Sequence, residues 1–339
     1  MSENNPMELN RPRARLAIRR GRLEFAGKDV TMTVILGLVV IALAVIANPL
    51  TRGVFFTGNN LTNLMRQTTT IGLLSLGMLF VILTGGIDLS VGSVVAFSAI
   101  FAAGSLVRMG VPVWVSFFLG IASGALWGLV SGSIVAWFKL APFVVTLAMM
   151  TTIRGLTYVY SQQSINVPTF LPDSNFTALG SAVAFGIPVS TMIMAAFFIL
   201  GAVFLNRTPL GRSTIAIGGN RETVRLAGIS VERGIITAYV ISGICSGTGG
   251  ILLASRLGNI QPSLGNAFEL DAIAACVIGG ANLAGGKGTV QGTVMGVLIL
   301  AVMNNLLSLR NVDSYWQFVF KGVIIIAVVM LHSRSQKQK

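Results

Sequence analysis

Five ionisable side chains stand in almost wholly apolar surroundings: Asp88, Arg154, Glu269, Asp271 and Lys321. A charge there is costly, so each must face a cavity, a partner or another charge. Asp88 and Ser90 close the break Thr84-Gly85-Gly86-Ile87-Asp88-Leu89-Ser90, where they fit a helix cap, a carboxylate meeting the positive end of the next helix. They fit direct contact with a solute as well. Glu269 and Asp271 open a later apolar run and fit a structural role in its first turn. Arg154 and Lys321 fit two roles that the sequence does not separate, lining a pore or neutralising Asp88 or Asp271. Asn304 and Asn305 are equally open between hydrogen bonds that join helices and a polar lining for a hydroxylated solute. Catalysis finds no footing. Cys245 and Cys276 lie in apolar runs and His332 lies near the end of the chain, so neither a metal cluster nor a nucleophile with its base can be assembled. No cofactor or metal is expected on this chain.

The second stretch with chemistry to offer is Asn206 to Gly234, NRTPLGRSTIAIGGNRETVRLAGISVERG, with five arginines beside Glu222 and Glu232. A polar island of this length in an apolar chain fits a docking segment for a soluble partner. Thr208-Pro209-Leu210-Gly211 and Gly218-Gly219-Asn220 read as tight turns. They flank a short helix near Glu222 to Ala227 that presents Arg221, Glu222 and Arg225 outward. Ala281 to Gly288, ANLAGGKG, half-matches a phosphate-cradling loop, but alanine replaces its first glycine and glycine its final hydroxyl residue. It is not read as a nucleotide site.

The elements that must hold these groups are membrane helices. The 339 residues are 53% hydrophobic and 10% charged, and several runs approach the roughly 20 residues a helix needs to cross a bilayer. The expected spans are residues 30–47, 67–83, 89–107, 113–138, 141–160, 188–205, 235–254, 268–283, 289–307 and 315–331, an all-α integral membrane protein of about ten helices. Gly120, Gly124, Gly128 and Gly132 place a smooth stripe on the fourth, and Gly288, Gly292 and Gly296 repeat the spacing on the ninth. Such stripes let a neighbouring backbone come close. Residues 1–29 form a basic arm, 30–332 the transmembrane domain with 206–234 as its soluble segment, and 333–339 a tail. The formal charge of +13 is orientational rather than nucleic-acid-binding: seven basic residues in the arm, Lys139, five in the central segment, Lys287 and three in the tail share one side. Arg52, Arg66, Arg108, Arg256 and Arg310 lie on the other. This places both termini in the cytoplasm.

Three motifs carry a resemblance: ILTGGIDLSVGS (Ile82 to Ser93), AIGGNRETVRLAGISV (Ala216 to Val231) and ELDAIAACVIGGANLAGGKGTVQGT (Glu269 to Thr293). In them, and in order from about Asn59 to Leu331, the chain resembles the membrane permeases of bacterial ABC sugar importers, above all the ribose permease branch. The resemblance implies a vitamin B12-importer-like homodimer in the bacterial inner membrane that imports a monosaccharide. It implies a cytoplasmic ATPase with two nucleotide-binding domains, which binds the ATP and Mg, and a periplasmic sugar-binding protein. It maps a coupling segment onto Gly211, Gly218, Gly219, Asn220, Arg221, Glu222, Arg225 and Gly228, where Glu222-Thr223-Val224-x-x-x-Gly228 keeps the E-A-A-x-x-x-G spacing. Thr and Val stand for the two alanines, and the downstream Leu-Pro is absent. Asp88, Ser90, Asn304 and Asn305 are the expected pathway residues. Gly85, Gly86, Gly279, Gly280, Gly285 and Gly286, with Glu269 and Asp271, are the expected helix-break residues. Alternatives are a gradient-driven secondary transporter, which has no use for the central signature, or an ABC importer of a non-sugar solute.

Overall fold

The computed structural model describes residues 11–163, 174–258, 260–313, 315–323, 326 and 330, with side chains from residue 31 onward except at 162, 163 and 174. The first ten residues of the arm, part of the 162–186 connection, much of the last expected span and the tail at 333–339 lie outside the described residues.

The chain is an all-α integral membrane protein. Its helices are α1 (Arg11–Leu50), α2 (Gly58–Leu83), α3 (Val91–Met109), α4 (Val113–Phe138), α5 (Pro142–Gln163), α6 (Ser174–Ser181), α7 (Val189–Arg207), α8 (Pro209–Gly219), α9 (Arg221–Leu226), α10 (Val231–Leu257), α11 (Phe268–Ile278) and α12 (Val290–Leu309). Residues 315–323 are helical as well. A two-residue strand pair, β1 (Val183–Ala184) with β2 (Ile187–Pro188), follows α6. The expected connection at 162–186 thus contains a helix and the first strand of a hairpin, whose second strand follows it. Among the described residues, eight helices are long and apolar enough to cross a membrane.

Helix α2 is the most buried of the candidate spans. The apolar window of α2 is 83% buried and that of α7 only 17%. The exposed flanks of α4, α5 and α7 carry Trp114, Phe118, Phe143, Ile199 and Leu200, which suit lipid.

Helix α10 packs beside α4 through glycine. Gly124 faces the backbone of Gly243 and Gly247, and Gly128 faces the backbone of Tyr239. The stripe on α4 therefore meets small residues on α10, and the two backbones touch without side chains between them. Gly296 faces Ala275, and Gly292 and Gly279 face each other, so α12 lies as closely on α11. Dispersion over this close approach replaces the hydrophobic drive that lipid removes.

The eighth expected span differs from its prediction. Helix α11 has 11 residues, about 16 Å of rise, half of what a crossing needs. Gly279, Gly280, Gly285, Gly286 and Gly288 end it, four of them at positive φ between +74° and +156°, conformations that a helix interior excludes. Residues 260–267, which precede α11, are not helical.

Candidate functional site

The polar segment holds the short helix expected near Glu222 to Ala227, as α9, and a second helix before it, α8, because three side chains cap helices in close succession. Thr208 Oγ1 accepts from Gly211 N (3.0 Å) with Pro209 in the first turn of α8, Asn220 Oδ1 accepts from Thr223 N (3.0 Å) to start α9, and Ser230 Oγ accepts from Arg233 N (3.2 Å) to start α10. The turn expected at 208–211 is thus the beginning of a helix. A cap residue followed by helix formers was the available signal, and the glycines at 211, 218 and 219 masked it.

On α9 the side chains part company. Glu222 and Arg225 are exposed and paired at 3.0 Å, beside Leu226 at 80% exposure. Arg221 is exposed as expected, yet its guanidinium also reaches the body of the protein, donating from Nη2 to the carbonyl of Thr84 at 3.2 Å. Gly228 ends α9 at φ +76°, with open space around its Cα.

That carbonyl belongs to the end of α2. The last carbonyls of a helix have no partner within it, and here other elements supply them. Leu83 O accepts from Gly286 N (3.0 Å) and Thr84 O from Arg221, and in the break beyond the helix Ile87 O accepts from Thr146 Oγ1 of α5 (3.0 Å). Gly218 at the end of α8 lies against Leu83 and Gly286, and an added Cβ on Gly285 would stand 2.9 Å from the Cα atoms of both Gly218 and Gly85. Three chain segments therefore meet backbone to backbone: the end of α2 at Gly85, the end of α8 at Gly218 and Gly219, and the turn at Gly285 and Gly286. Gly86 lies beside Tyr239. The half-match ANLAGGKG forms this turn, closed by Asn282 N to Lys287 O at 2.9 Å, and is part of the junction.

From the junction the break climbs into the protein to Asp88, which is 3% exposed. One carboxylate oxygen accepts from Ser90 N (3.0 Å) and Ser90 Oγ (2.6 Å), the other from Ser242 Oγ of α10 (2.8 Å). Ser242 lies eleven residues into α10, so this site is about 16 Å from the α8–α9 end. The hydroxyl of Ser90 makes no cap bond to α3. It is spent on Asp88, so the pair pins the break to α10 rather than capping the next helix as expected.

The remaining polar groups separate likewise. Asp271 in the first turn of α11 holds Lys321 at 2.9 Å, with both side chains mostly buried. Glu269, in the same turn, lies against Gly92. Arg154 reaches the non-helical segment before α11, donating from Nη1 to the carbonyls of Pro262 (2.5 Å) and Leu264 (2.9 Å). The two cations that the sequence left undecided thus have different tasks. Asn305 and Asn60 exchange two amide hydrogen bonds (2.9 and 3.0 Å) that join α12 to α2. At about 0.6 kcal/mol each such bonds fix register more than they hold the fold. Asn304 lies apart, beside Gln67 and Thr68 in a groove between the same helices, its buried Oδ1 without a partner.

Comparison with known proteins places this geometry. The family model described as branched-chain amino acid transport system / permease component matches residues 60–329. The ribose import permease protein RbsC of Bacillus subtilis (strain 168) is 41% identical over 94% of this chain and 98% of its own length. RbsC of Escherichia coli (strain K12) is 41% identical over 83% of this chain and 88% of its own. The xylose transport system permease protein XylH of the same strain is 33% identical over the whole of both chains. No solved structure matches. An all-helical membrane body, an exposed helix pair seated on its helix breaks and likeness along nearly its full length to import permeases agree: the chain belongs to the branched-chain amino acid transport system / permease component family, as a transport subunit and not an enzyme.

Proposed function

We propose that this chain is the permease of an ATP-driven monosaccharide importer of the bacterial inner membrane. Two copies form the pathway, a periplasmic binding protein delivers the sugar, and a cytoplasmic ATPase with two nucleotide-binding domains binds ATP and Mg. The relatives named for ribose and xylose support the solute class. The observation that carries the coupling role is the two-sidedness of α8 and α9. Their outer side offers an exposed Leu226 beside the Glu222–Arg225 pair, a knob for a cleft in a soluble partner. Their inner side is seated on the ends of α2 and the 285–286 turn through Gly218, Gly219 and Arg221.

Closure of the nucleotide-binding domains moves the knob, and the junction passes that motion to the break that Asp88 holds against α10. A rigid helix pair between two bistable parts transmits a switch without chemistry of its own. The task needs no tight sugar pocket, since a solute must leave as readily as it arrives.

The test is uptake of a labelled monosaccharide panel into vesicles holding this chain, with and without the ATPase and the loaded binding protein. Uptake that needs all three together with ATP supports the reading and names the sugar. Uptake by the chain alone under an ion gradient overturns it. In the complete system Glu222→Lys lowers uptake at least tenfold while the permease stays folded in the membrane; undiminished uptake removes α9 from coupling.

A further inference from the structure

Between α10 and α11 the backbone runs without helix over residues 260–267, and it is held down on one side only. Ile260 and Leu264 turn inward onto the cluster of Ile100, Phe176 and Ile251. Gly265 lies on the backbone of Gly92 and beside Val95 of α3. Arg154 clamps the carbonyls of Pro262 and Leu264 from α5. The other side presents Gln261, Ser263 and Asn266, all exposed, which line an open bowl with Leu257 and Phe268.

The depth of this bowl follows from α10. Gly250 packs on the same Val95 that meets Gly265, and Gly250 lies seven residues before Leu257. The floor of the bowl is therefore about 10 Å below the end of α10, within the span of the surrounding helices. Non-helical backbone at membrane depth does not face lipid; it is covered by protein or lines water. Two carboxamides and a hydroxyl offer both donors and acceptors and no formal charge. That set suits a neutral, hydroxyl-rich solute better than an ion or an apolar one.

We propose that the bowl of Gln261, Ser263 and Asn266 is a wall of the solute pathway, hydrogen-bonding an uncharged polyhydroxylated solute in passage. The proposal rests on the importer reading for its solute and assigns contact to residues that the four expected pathway positions do not include. The expected Asp88, Ser90 and Asn305 have their polar groups occupied within the protein, whereas these three side chains stand free of any partner within the described residues.

The native cysteines make the test clean. Cys245 and Cys276 are both buried, so an introduced thiol is the one that a membrane-impermeant methanethiosulfonate reagent reaches. Asn266→Cys and Ser263→Cys are placed in the complete importer in vesicles, after the parent chain has shown uptake with ATPase and binding protein. Failure of the parent uptake sinks the importer reading, whereas the labelling reports water at the bowl whatever the transport mode. The expected result is modification of both cysteines from the side opposite α8 and α9, an uptake loss of at least tenfold, and recovery when a reductant removes the adduct. Val203→Cys, on the exposed flank of α7, keeps its uptake after the same treatment. Full modification of Asn266→Cys with uptake unchanged overturns the proposal. So does the absence of modification in both folded variants, the outcome if a second protein chain seals the bowl.

Discussion

At the scale of single residues, Asp88, Arg154, Asp271 and Lys321 each have named partners, and each choice has a measurable cost. The Asp271–Lys321 pair joins α11 to the helix at residues 315–323 and is mostly buried. Removing one member leaves the other uncompensated, which for a buried pair costs about 3–5 kcal/mol. Asp271→Asn and Lys321→Met are therefore each expected to lower the thermal midpoint of the detergent-purified permease clearly, while the double variant recovers much of the loss. Additive losses in the double-mutant cycle would show that the two do not act as a pair. Asp88 differs, because its partners are hydroxyls and one backbone N–H. Asp88→Ala leaves these donors unmatched at about 1–3 kcal/mol. The need for partners was legible in the sequence, since a carboxylate among apolar residues demands them. Their identity was not: Ser242 lies 154 positions from Asp88 and Lys321 lies 50 from Asp271, separations on which local pattern is silent.

At the scale of elements, glycine spacing was the most readable feature. The stripe on α4 announced a close neighbour, and α10 brings Gly243 and Gly247 to meet it. Helix ends were less readable. The bounds of α4 agree with expectation, yet the run read as a span at 268–283 contains an eleven-residue helix, because alanine, cysteine and isoleucine are as apolar in a half-helix as in a whole one. Helix α8 was not read as a helix because its glycines compete with its cap, whereas the short helix expected near Glu222 to Ala227 stands as α9. The junction gives a paired prediction. A Cβ on Gly218 would enter the backbone of Leu83 and Gly286, whereas one on Gly219 meets nothing within 4 Å. Gly218→Ala is expected to cost about 1–3 kcal/mol as an overpacked site and to lower uptake severalfold. Gly219→Ala, measured beside it for thermal stability and uptake, is expected to be tolerated; equal losses in both would mean that the contact at Gly218 is not what matters.

At the scale of the whole molecule, the chain is a body with two unlike ends. Leu226 of α9 and Met109 at the end of α3 are 80% and 70% exposed, and lie at opposite ends of the bundle. Arg207, Arg212, Arg221, Arg225 and Arg233 gather toward the first of these ends, and by the charge rule we propose that this end faces the cytoplasm. Leu226→Cys is therefore expected to react with an impermeant thiol reagent only in inside-out vesicles, and Met109→Cys only in right-side-out ones. Reaction with the reverse preference would invert the orientation and move the ATPase to the other face. The meeting of α2, α8 and the 285–286 turn has a consequence for the protein's history. A contact made by main chain alone offers natural variation no rotamer to adjust and no smaller residue to retreat to. Across a library of all single substitutions, the deepest intolerance should fall on Gly218 and Gly285, the positions with least chemistry, while the charged tip at Glu222 and Arg225 drifts with whatever ATPase it must fit.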